Sequence, residues 1–357
     1  MKTRVLDVVH CPSCGGALTV VAGAREDRGE IRDGTLRCAG CAATYPIHGY
    51  IPRLAPELNY SASWGKLWRE TGEILRDSFT EIPFHRNALH GSYDEAGTWH
   101  DDRSPFGFEW PTDLSGERVL EVGPGTGNFT EHLVETGANL VCVDMSDAID
   151  TLPEELLTRE NVDLIQGDIT TGILRGAEFD RLWLFQVLQH TPSPAQTLKD
   201  LRALLRPGGE LAFTSYGYPP YDPWYYRFTK RIPDRIAWTL IAAAVPRLLP
   251  LKFSLQRRRK TFATRLSLAL LDLVDPRDIY RQTRRGGMRD YVQGALWERT
   301  GDHDLLVKYV IVNTFDRITP EYTNSASHAM VEDWTRSAGY ASVETWGRGG
   351  VRARAIK

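Results

Sequence analysis

The sequence has no apolar run long enough to cross a bilayer. Within its 357 residues the longest such stretch, Ile236 to Val245, is interrupted by Thr239 and stopped by Pro246 and Arg247, well short of the ~20 residues a spanning helix needs. No transmembrane helix is expected. Met1 to His10 mix charges with a few apolar side chains and lack the apolar centre of a secretory leader, so the chain reads as cytoplasmic. Strong net charge is also missing: 43 Lys+Arg against 46 Asp+Glu give −3, and with 42% hydrophobic residues the composition excludes a disordered chain. Cysteine is scarce outside one place. Four of the five cysteines fall in the first 41 residues, and in a reducing compartment disulfides rarely persist, so metal binding is the leading explanation for them.

The weak net charge hides a division along the chain. Residues 227–299 hold 17 Lys+Arg and 6 Asp+Glu, a local +11, which leaves 26 basic and 40 acidic groups elsewhere, a sum of −14. One part of the chain is built for a different partner from the rest.

The four early cysteines form two pairs, Cys11-Pro-Ser-Cys14 and Cys38-Ala-Gly-Cys41, separated by 23 residues. Each pair can turn tightly enough to present two thiolates to one ion, with Gly15, Gly16 and Gly40 free to take the required backbone angles. Ala17 to Ala22 reads as a strand, Arg25 to Gly29 as a polar turn, and Gly34 to Arg37 as the entry to the second pair. Residues 1–55 thus resemble a zinc ribbon, and the run Tyr45 to Pro52 is similar to small zinc-binding modules fused to, or partnered with, methyltransferases. The spacing points to one zinc held by Cys11, Cys14, Cys38 and Cys41, structural because four sulfurs close its coordination sphere. Four unconnected thiols or a redox pair is the competing account. His48 reads as a turn residue.

Residues 56–117 form an aromatic-rich connector carrying Trp64, Trp68, Phe79, Phe84, Trp99, Phe106, Phe108 and Trp110. Trp64, Leu67, Trp68 and Leu75 suggest a helix with one apolar face, and the segment reads either as a lid over a pocket or as core packing. Residues 118–216 then alternate strand and helix signals: strands Arg118 to Val122, Leu140 to Val143, Val162 to Gln166, Arg181 to Phe185 and Glu210 to Thr214, with a helix from Ala195 to Leu205. This alternation predicts an α/β fold, a mostly parallel sheet covered on both faces, with ligands beyond the carboxyl ends of its strands.

A glycine turn, Gly123-Pro-Gly-Thr-Gly127, follows the first strand. In a dinucleotide fingerprint the closing position is glycine, and here it is Asn128. The E-x-G-x-G-x-G spacing from Glu121 instead resembles motif I of class I S-adenosylmethionine-dependent methyltransferases, whose Rossmann-like sheet is the fold the resemblance implies. It extends through Asp144, Asp168-Ile169, Phe185 to His190, and Leu204-Leu-Arg-Pro-Gly-Gly-Glu210. It implies S-adenosylmethionine as cofactor. Gly123, Gly125 and Gly127 would admit its methionyl and ribose portions, Asp144 would accept the ribose hydroxyls, and Asp168 and Ile169 would meet the adenine. Met145 and Gln186 are further pocket positions, and Glu121 would orient the turn or reach the methionine amine through water. Asp144 also reads as a helix cap. Cys142 belongs to strand packing. His190, at the mouth of the expected pocket, is the first candidate for general base, with Tyr216 and Tyr218 as alternatives.

Residues 327–357 read as a last helix, Ser327 to Ala338, and strands Ala341 to Trp346 and Val351 to Ile356. Between lie residues 217–326, a basic insertion where related bacterial enzymes of polysaccharide or specialised-metabolite pathways carry a helical substrate cap; Asn313 to Tyr322 resembles a segment of such enzymes. The expected activity is methyl transfer to an oxygen or nitrogen of a small molecule, with an anionic or carrier-linked substrate to match the basic stretch. Ribosomal-RNA base methylation, a non-catalytic partner that binds S-adenosylmethionine, and a peripheral membrane contact through Ile236 to Phe253 stay open; the pI of about 6.3 weighs against nucleic acid.

Overall fold

A computed structural model of the chain describes residues 1–56, 59–81, 83–91, 107–174, 179–217, 232–257, 302–347 and 350–357. Tyr218, Trp99, Phe106 and most of the basic stretch (227–231 and 258–299) lie outside the described residues. The chain divides into two compact units, one of Met1–Gly65, His85–Tyr221 and Tyr322–Lys357, the other of Lys66–Phe84 and Asp222–Glu321. The cysteine-bearing module and the strand-helix region therefore belong to one unit, and the aromatic connector is shared between the two.

The first unit opens with strands β1 (Leu18–Val20), β2 (Arg25–Asp27), β3 (Glu30–Cys38), β4 (Thr44–His48) and β5 (Ile51–Pro52). They form an antiparallel sheet in the order β1-β3-β4-β5, with β2 folded onto β3. Of the polar turn expected at Arg25 to Gly29, only Arg28 and Gly29 turn, at the tip of the β2–β3 hairpin; Arg25–Asp27 pair with β3 as strand β2. Arg28 and Gly29 both adopt positive φ, 54° and 76°, as a two-residue hairpin matched to strand twist requires.

After α1 (Ala62–Thr71), α2 (Asp77–Thr80) and α3 (Phe84–His90) comes the large sheet: β6 (Arg118–Val122), α4 (Thr130–Leu133), β7 (Asn139–Asp144), α5 (Glu154–Leu157), β8 (Val162–Gln166), β9 (Phe179–Leu184), α6 (Pro194–Leu204) and β10 (Leu205–Gly217). Two helices of the second unit follow, α7 (Asp234–Arg257) and α8 (His303–Ile318), then β11 (Ser325–Ala326), α9 (His328–Ser337), β12 (Ser342–Trp346) and β13 (Gly350–Ile356). The sheet order is β12-β13-β10-β9-β6-β7-β8, with β11 alongside β10. β6 to β10 run parallel, and β13 is antiparallel to β10 and β12. Chain order reverses between β6 and β9, which creates the crevice where ligands bind in such sheets.

At β6, β7 and β9 both faces of the sheet are buried, which is why these strands read as near-continuous apolar runs, whereas β13 alternates. Leu120 and Val122 of β6 face one core and Val119 the other. The first core continues into the cysteine-bearing module through Leu36, Ile47 and Leu54. That module also covers the edge strand β8. Leu54 N donates to Gln166 O at 2.7 Å, His10 N donates to Ile173 O at 2.7 Å, and Arg4 Nε lies 2.7 Å from Asp163 Oδ2. An open strand edge invites unwanted pairing, and here the N-terminal module occupies it.

Part of the connector is core rather than lid. Phe108 and Trp110 are buried, their rings 4.9 and 5.1 Å from Trp183, and Trp110 Nε1 donates to Glu210 Oε1 at 2.7 Å. In the second unit, Ala237, Ile241, Val245 and Leu249 recur every fourth residue as the buried face of α7, which packs with α8; Trp238 meets Phe315 edge-on at 5.2 Å. Ile236, Leu240 and Leu251 of α7 are exposed. Among the described residues, no helix is long and apolar enough to cross a membrane.

Candidate cofactor and metal sites

The two C-x-x-C pairs converge. Cys11 Sγ lies 3.7 Å from Cys41 Sγ and Cys14 Sγ 3.4 Å from Cys38 Sγ, and all four sulfurs fall within 4.8 Å of one another. A disulfide would hold sulfurs at ~2.05 Å, and the cysteines are unbridged. Tetrahedral zinc with Zn–S of ~2.3 Å sets neighbouring sulfurs ~3.8 Å apart, so these thiols fit such an ion. The knuckle geometry explains its glycines: a Cβ on Gly16 would sit 3.0 Å from Cys38 Sγ and 3.3 Å from Cys14 Sγ. Gly40 N donates to Cys38 Sγ at 3.3 Å, and Tyr45 Oη lies 3.1 Å from Cys11 Sγ. His48 is exposed and faces Asp33 Oδ1 at 3.1 Å.

The second site gathers at the carboxyl ends of β6, β7, β8 and β9. Gly123, Gly125 and Gly127 all have positive φ, 73°, 56° and 89°. Gly123 N donates to Val143 O at 2.8 Å, so the turn is tied to β7 as it leaves β6. A Cβ on Gly123 would lie 2.4 Å from Val187 Cγ2. With the left-handed backbone adding about 1–2 kcal/mol for an L-residue, Gly123→Ala should lower the melting temperature by several degrees and weaken any ligand held by the turn. Thermal denaturation checks this, and an unshifted melt would show that the turn tolerates a side chain.

Asp144 ends β7 beside the turn and is buried. Its Oδ2 accepts from Gly125 N at 3.1 Å, and its Oδ1 accepts from Ser146 N at 2.8 Å and Ser146 Oγ at 2.7 Å. Burial raises its pKa. The sequence offers Asp144 as ribose ligand or as cap. The structure gives the cap to Ser146, whose Oγ accepts from Ala148 N at 3.2 Å, and Asp144 holds that cap rather than being it; a carboxylate has about four acceptor positions, of which the protein uses three, and Ser146 Oγ can rotate away.

Gly167 N donates to Asp144 O at 2.8 Å, which brings Asp168 beside Asp144. Asp168 Oδ1 accepts from Thr170 N at 2.9 Å and Thr170 Oγ1 at 2.7 Å, so it shapes its own turn. Ile169 and Met145 are half-buried nearby. Gln186 is exposed with φ of 56°, and its N donates to Thr214 Oγ1 at 2.7 Å. A non-glycine residue held at positive φ is a sparsely populated state that surrounding structure must enforce. Glu121 differs from the rest. It is 2% exposed, packed under the turn, and accepts from Thr130 Oγ1 at 2.7 Å; burial pushes its carboxyl up to about 7.

His190 follows β9. Its Nδ1 is 2.9 Å from Tyr322 O, and since a carbonyl only accepts, Nδ1 carries the proton and Nε2 presents a lone pair in the neutral ring. Trp64 lies 4.8 Å from the imidazole and Tyr216 meets it edge-on at 5.4 Å. Tyr322 in turn packs edge-on against Tyr60 at 5.3 Å. The strand pairing of β11 with β10, Tyr216 opposite Ser325, delivers this segment to the site. Sequence reasoning missed three supports of the site: Arg53, which donates to Gln166 Oε1 and Asp150 Oδ1; Asn59, whose Nδ2 donates to Met145 O at 3.4 Å; and Thr130. Ser146 reads as part of a helix start after Asp144, and the structure makes it the cap; Tyr322 ended a segment already singled out.

Residues 120–213 match the family of methyltransferase domains. Over this stretch the chain is similar to a methyltransferase domain. The matched stretch runs from β6 into β10 and holds Glu121, the three glycines, Asp144, Met145, Asp168, Ile169, Gln186 and His190, while Tyr216 lies just beyond it. A demethylmenaquinone methyltransferase of Renibacterium salmoninarum is 28% identical over 33% of this chain and 48% of its own length. A ubiquinone biosynthesis O-methyltransferase of Coxiella burnetii is 32% identical over 29% of this chain and 44% of its own. The chain spans about half the length of these curated relatives. Among solved structures, the N-methyltransferase NodS of Bradyrhizobium japonicum, determined with S-adenosyl-L-homocysteine, is similar at 23% identity over 29% of this chain and 54% of that one, TM-score 0.27.

Proposed function

We propose that this protein transfers a methyl group from S-adenosylmethionine to an oxygen or nitrogen of a small molecule in a biosynthetic pathway, and that its N-terminal module is a zinc ribbon with a structural ion on Cys11, Cys14, Cys38 and Cys41. One observation carries the first part: within the stretch similar to a methyltransferase domain, the positive-φ glycine turn, Asp144 and Asp168 sit together at the carboxyl ends of adjacent parallel strands. When bound, S-adenosylmethionine supplies an electrophilic methyl on a sulfonium. The chain's own residues bind and orient. The glycines let backbone approach the ligand, Asp144 receives the ribose hydroxyls, and Asp168 and Ile169 address the adenine. Aligning a nucleophile with the methyl and excluding water are the main gains left to the protein.

His190 fits the role of base for a hydroxyl acceptor, because the Tyr322 carbonyl holds its proton on Nδ1 and leaves Nε2 to receive one. The names of the quinone-pathway relatives favour oxygen as the first acceptor to test. Residues 217–326, with α7 and α8, are assigned as the substrate cap, and the basic stretch favours an anionic or carrier-linked acceptor.

Calorimetry should detect S-adenosylmethionine binding, and Asp144→Ala should weaken it by about 1.5–3 kcal/mol, the range for hydrogen bonds to a charged group. Unchanged affinity would remove that role. Labelled cofactor offered to phenolic small molecules and, separately, to RNA tests the substrate class, and label entering RNA alone would overturn the proposal.

A further inference from the structure

The N-terminal module does more than cover an edge: it reaches the loops that carry the cofactor residues. Arg53 follows β5 and bridges to Gln166, the last residue of β8. Its guanidinium spans three elements. Nη2 donates to His48 O at 3.0 Å within the module and to Asp150 Oδ1 at 2.5 Å in the turn after β7, and Nη1 donates to Gln166 Oε1 at 3.2 Å. The Arg53 side chain is 12% exposed. Asp150 belongs to the 3-10 turn capped by Ser146, the residue that holds Asp144 Oδ1. Gln166 stands two residues before Asp168, and Gly167 between them is bonded to Asp144 O. Arg53 thus holds both the turn whose cap engages Asp144, the proposed ribose contact, and the end of the strand that leads into Asp168, the proposed adenine contact.

We infer that Arg53 is a positioning residue for the cofactor site, through which the cysteine module sets the spacing of the Asp144 and Asp168 loops. The inference rests on the proposed S-adenosylmethionine site. A planar guanidinium can hold several acceptors in one fixed fork; a lysine reaches one at a time. Without Arg53 the two loops keep their backbone ladder but lose the side-chain tie across their ends.

The test compares two arginines that dock the same module on the same strand. Arg4 pairs with Asp163 and with Glu160 O, at the opposite end of β8 from the cofactor loops. By calorimetry on the full chain, Arg53→Ala should raise the S-adenosylmethionine Kd about tenfold, the scale of a coupling between linked sites. Arg4→Ala should leave the Kd unchanged. Arg53→Lys should recover only part of the loss. In the transfer assay Arg53→Ala should raise the KM for cofactor while kcat and the acceptor KM stay as in the wild type, a split that a global weakening would not produce. Equal Kd changes in Arg4→Ala and Arg53→Ala would overturn the inference in favour of simple docking, and no change in Arg53→Ala would overturn it outright. If the wild type fails to bind S-adenosylmethionine, the functional reading fails first and this one with it; binding by the wild type with an indifferent Arg53 removes only this one.

Discussion

Replacing Cys38 with serine is expected to cost the protein its metal and, with it, more than its first 55 residues. Structural zinc in isolated small modules contributes about 10–16 kcal/mol of folding free energy at neutral pH, comparable with the ~5–15 kcal/mol total stability of a typical domain. Here the module is not an independent bead. Leu36, Ile47 and Leu54 share one core with Ile165, Phe179 and Leu182 of the large sheet and with Leu174 between β8 and β9. Loss of the four-thiol site would leave β8 with an open edge and its neighbouring apolar side chains without cover. Metal analysis should find one zinc per wild-type chain and none in Cys38→Ser. The variant's melting temperature should fall by more than ten degrees, since each ~1 kcal/mol shifts a domain of this size by roughly 2–4 °C.

Cys142→Ala is the control, because Cys142 is equally buried but lies in β7, away from the thiol cluster. It should keep its zinc and lose only the stability of a small buried side chain. His48→Ala should also keep its zinc, given that His48 faces Asp33 rather than the sulfurs. A metal-free wild type that melts as one sharp transition would sink the zinc assignment.

The parallel strands were legible because burial on both faces leaves an apolar run, and their parallel direction could be read from alternation with helices; their order in the sheet could not. The glycine turn was legible because its positions need positive φ, which few other residues accept. What escaped was long-range pairing. Nothing local to Arg53 or Leu54 announces Gln166, more than a hundred residues away, as their partner. The fifth strand of the sheet begins earlier than Glu210, since Arg206-Pro-Gly-Gly209 reads as a loop but continues β10 through a register shift between Leu205 and Glu210. Phe108 and Trp110 illustrate the same limit: their aromatic character fits a lid or a core, and only Trp183 on a distant strand decides. At the site itself, residue types were readable and their supports were not. Asp144 was visible, whereas its engagement by Gly125 and Ser146 depends on how the two turns meet.

Glu121→Gln should make the ligand-free protein more stable at pH 8, the reverse of what loss of a simple structural hydrogen bond would do. The carboxyl is buried, and burial lifts its pKa from 4.5 to about 7; Thr130 and Cys142 pull it down and the nearby Asp144 pushes it up, each by less. Below about pH 4.5 Glu121 is protonated in folded and unfolded chains alike, and its preference for the neutral form contributes fully. As pH rises from 4.5 towards 7 the unfolded chain releases a proton that the folded chain retains, so stability falls, and above 7 the loss is complete. The shift corresponds to about 3 kcal/mol. Asp144, also raised by burial, adds slope of the same sign at lower pH. Glutamine keeps the shape and can still accept from Thr130 Oγ1, but has no proton to lose. Denaturant titrations at pH 5, 6, 7 and 8 should therefore show wild-type stability declining across the series and a flatter profile for the variant, the two curves separating as pH increases. Parallel curves would mean that Glu121 is ionised beneath the turn throughout, held there by a cation that its described neighbours, Thr130, Cys142 and Asp144, do not supply.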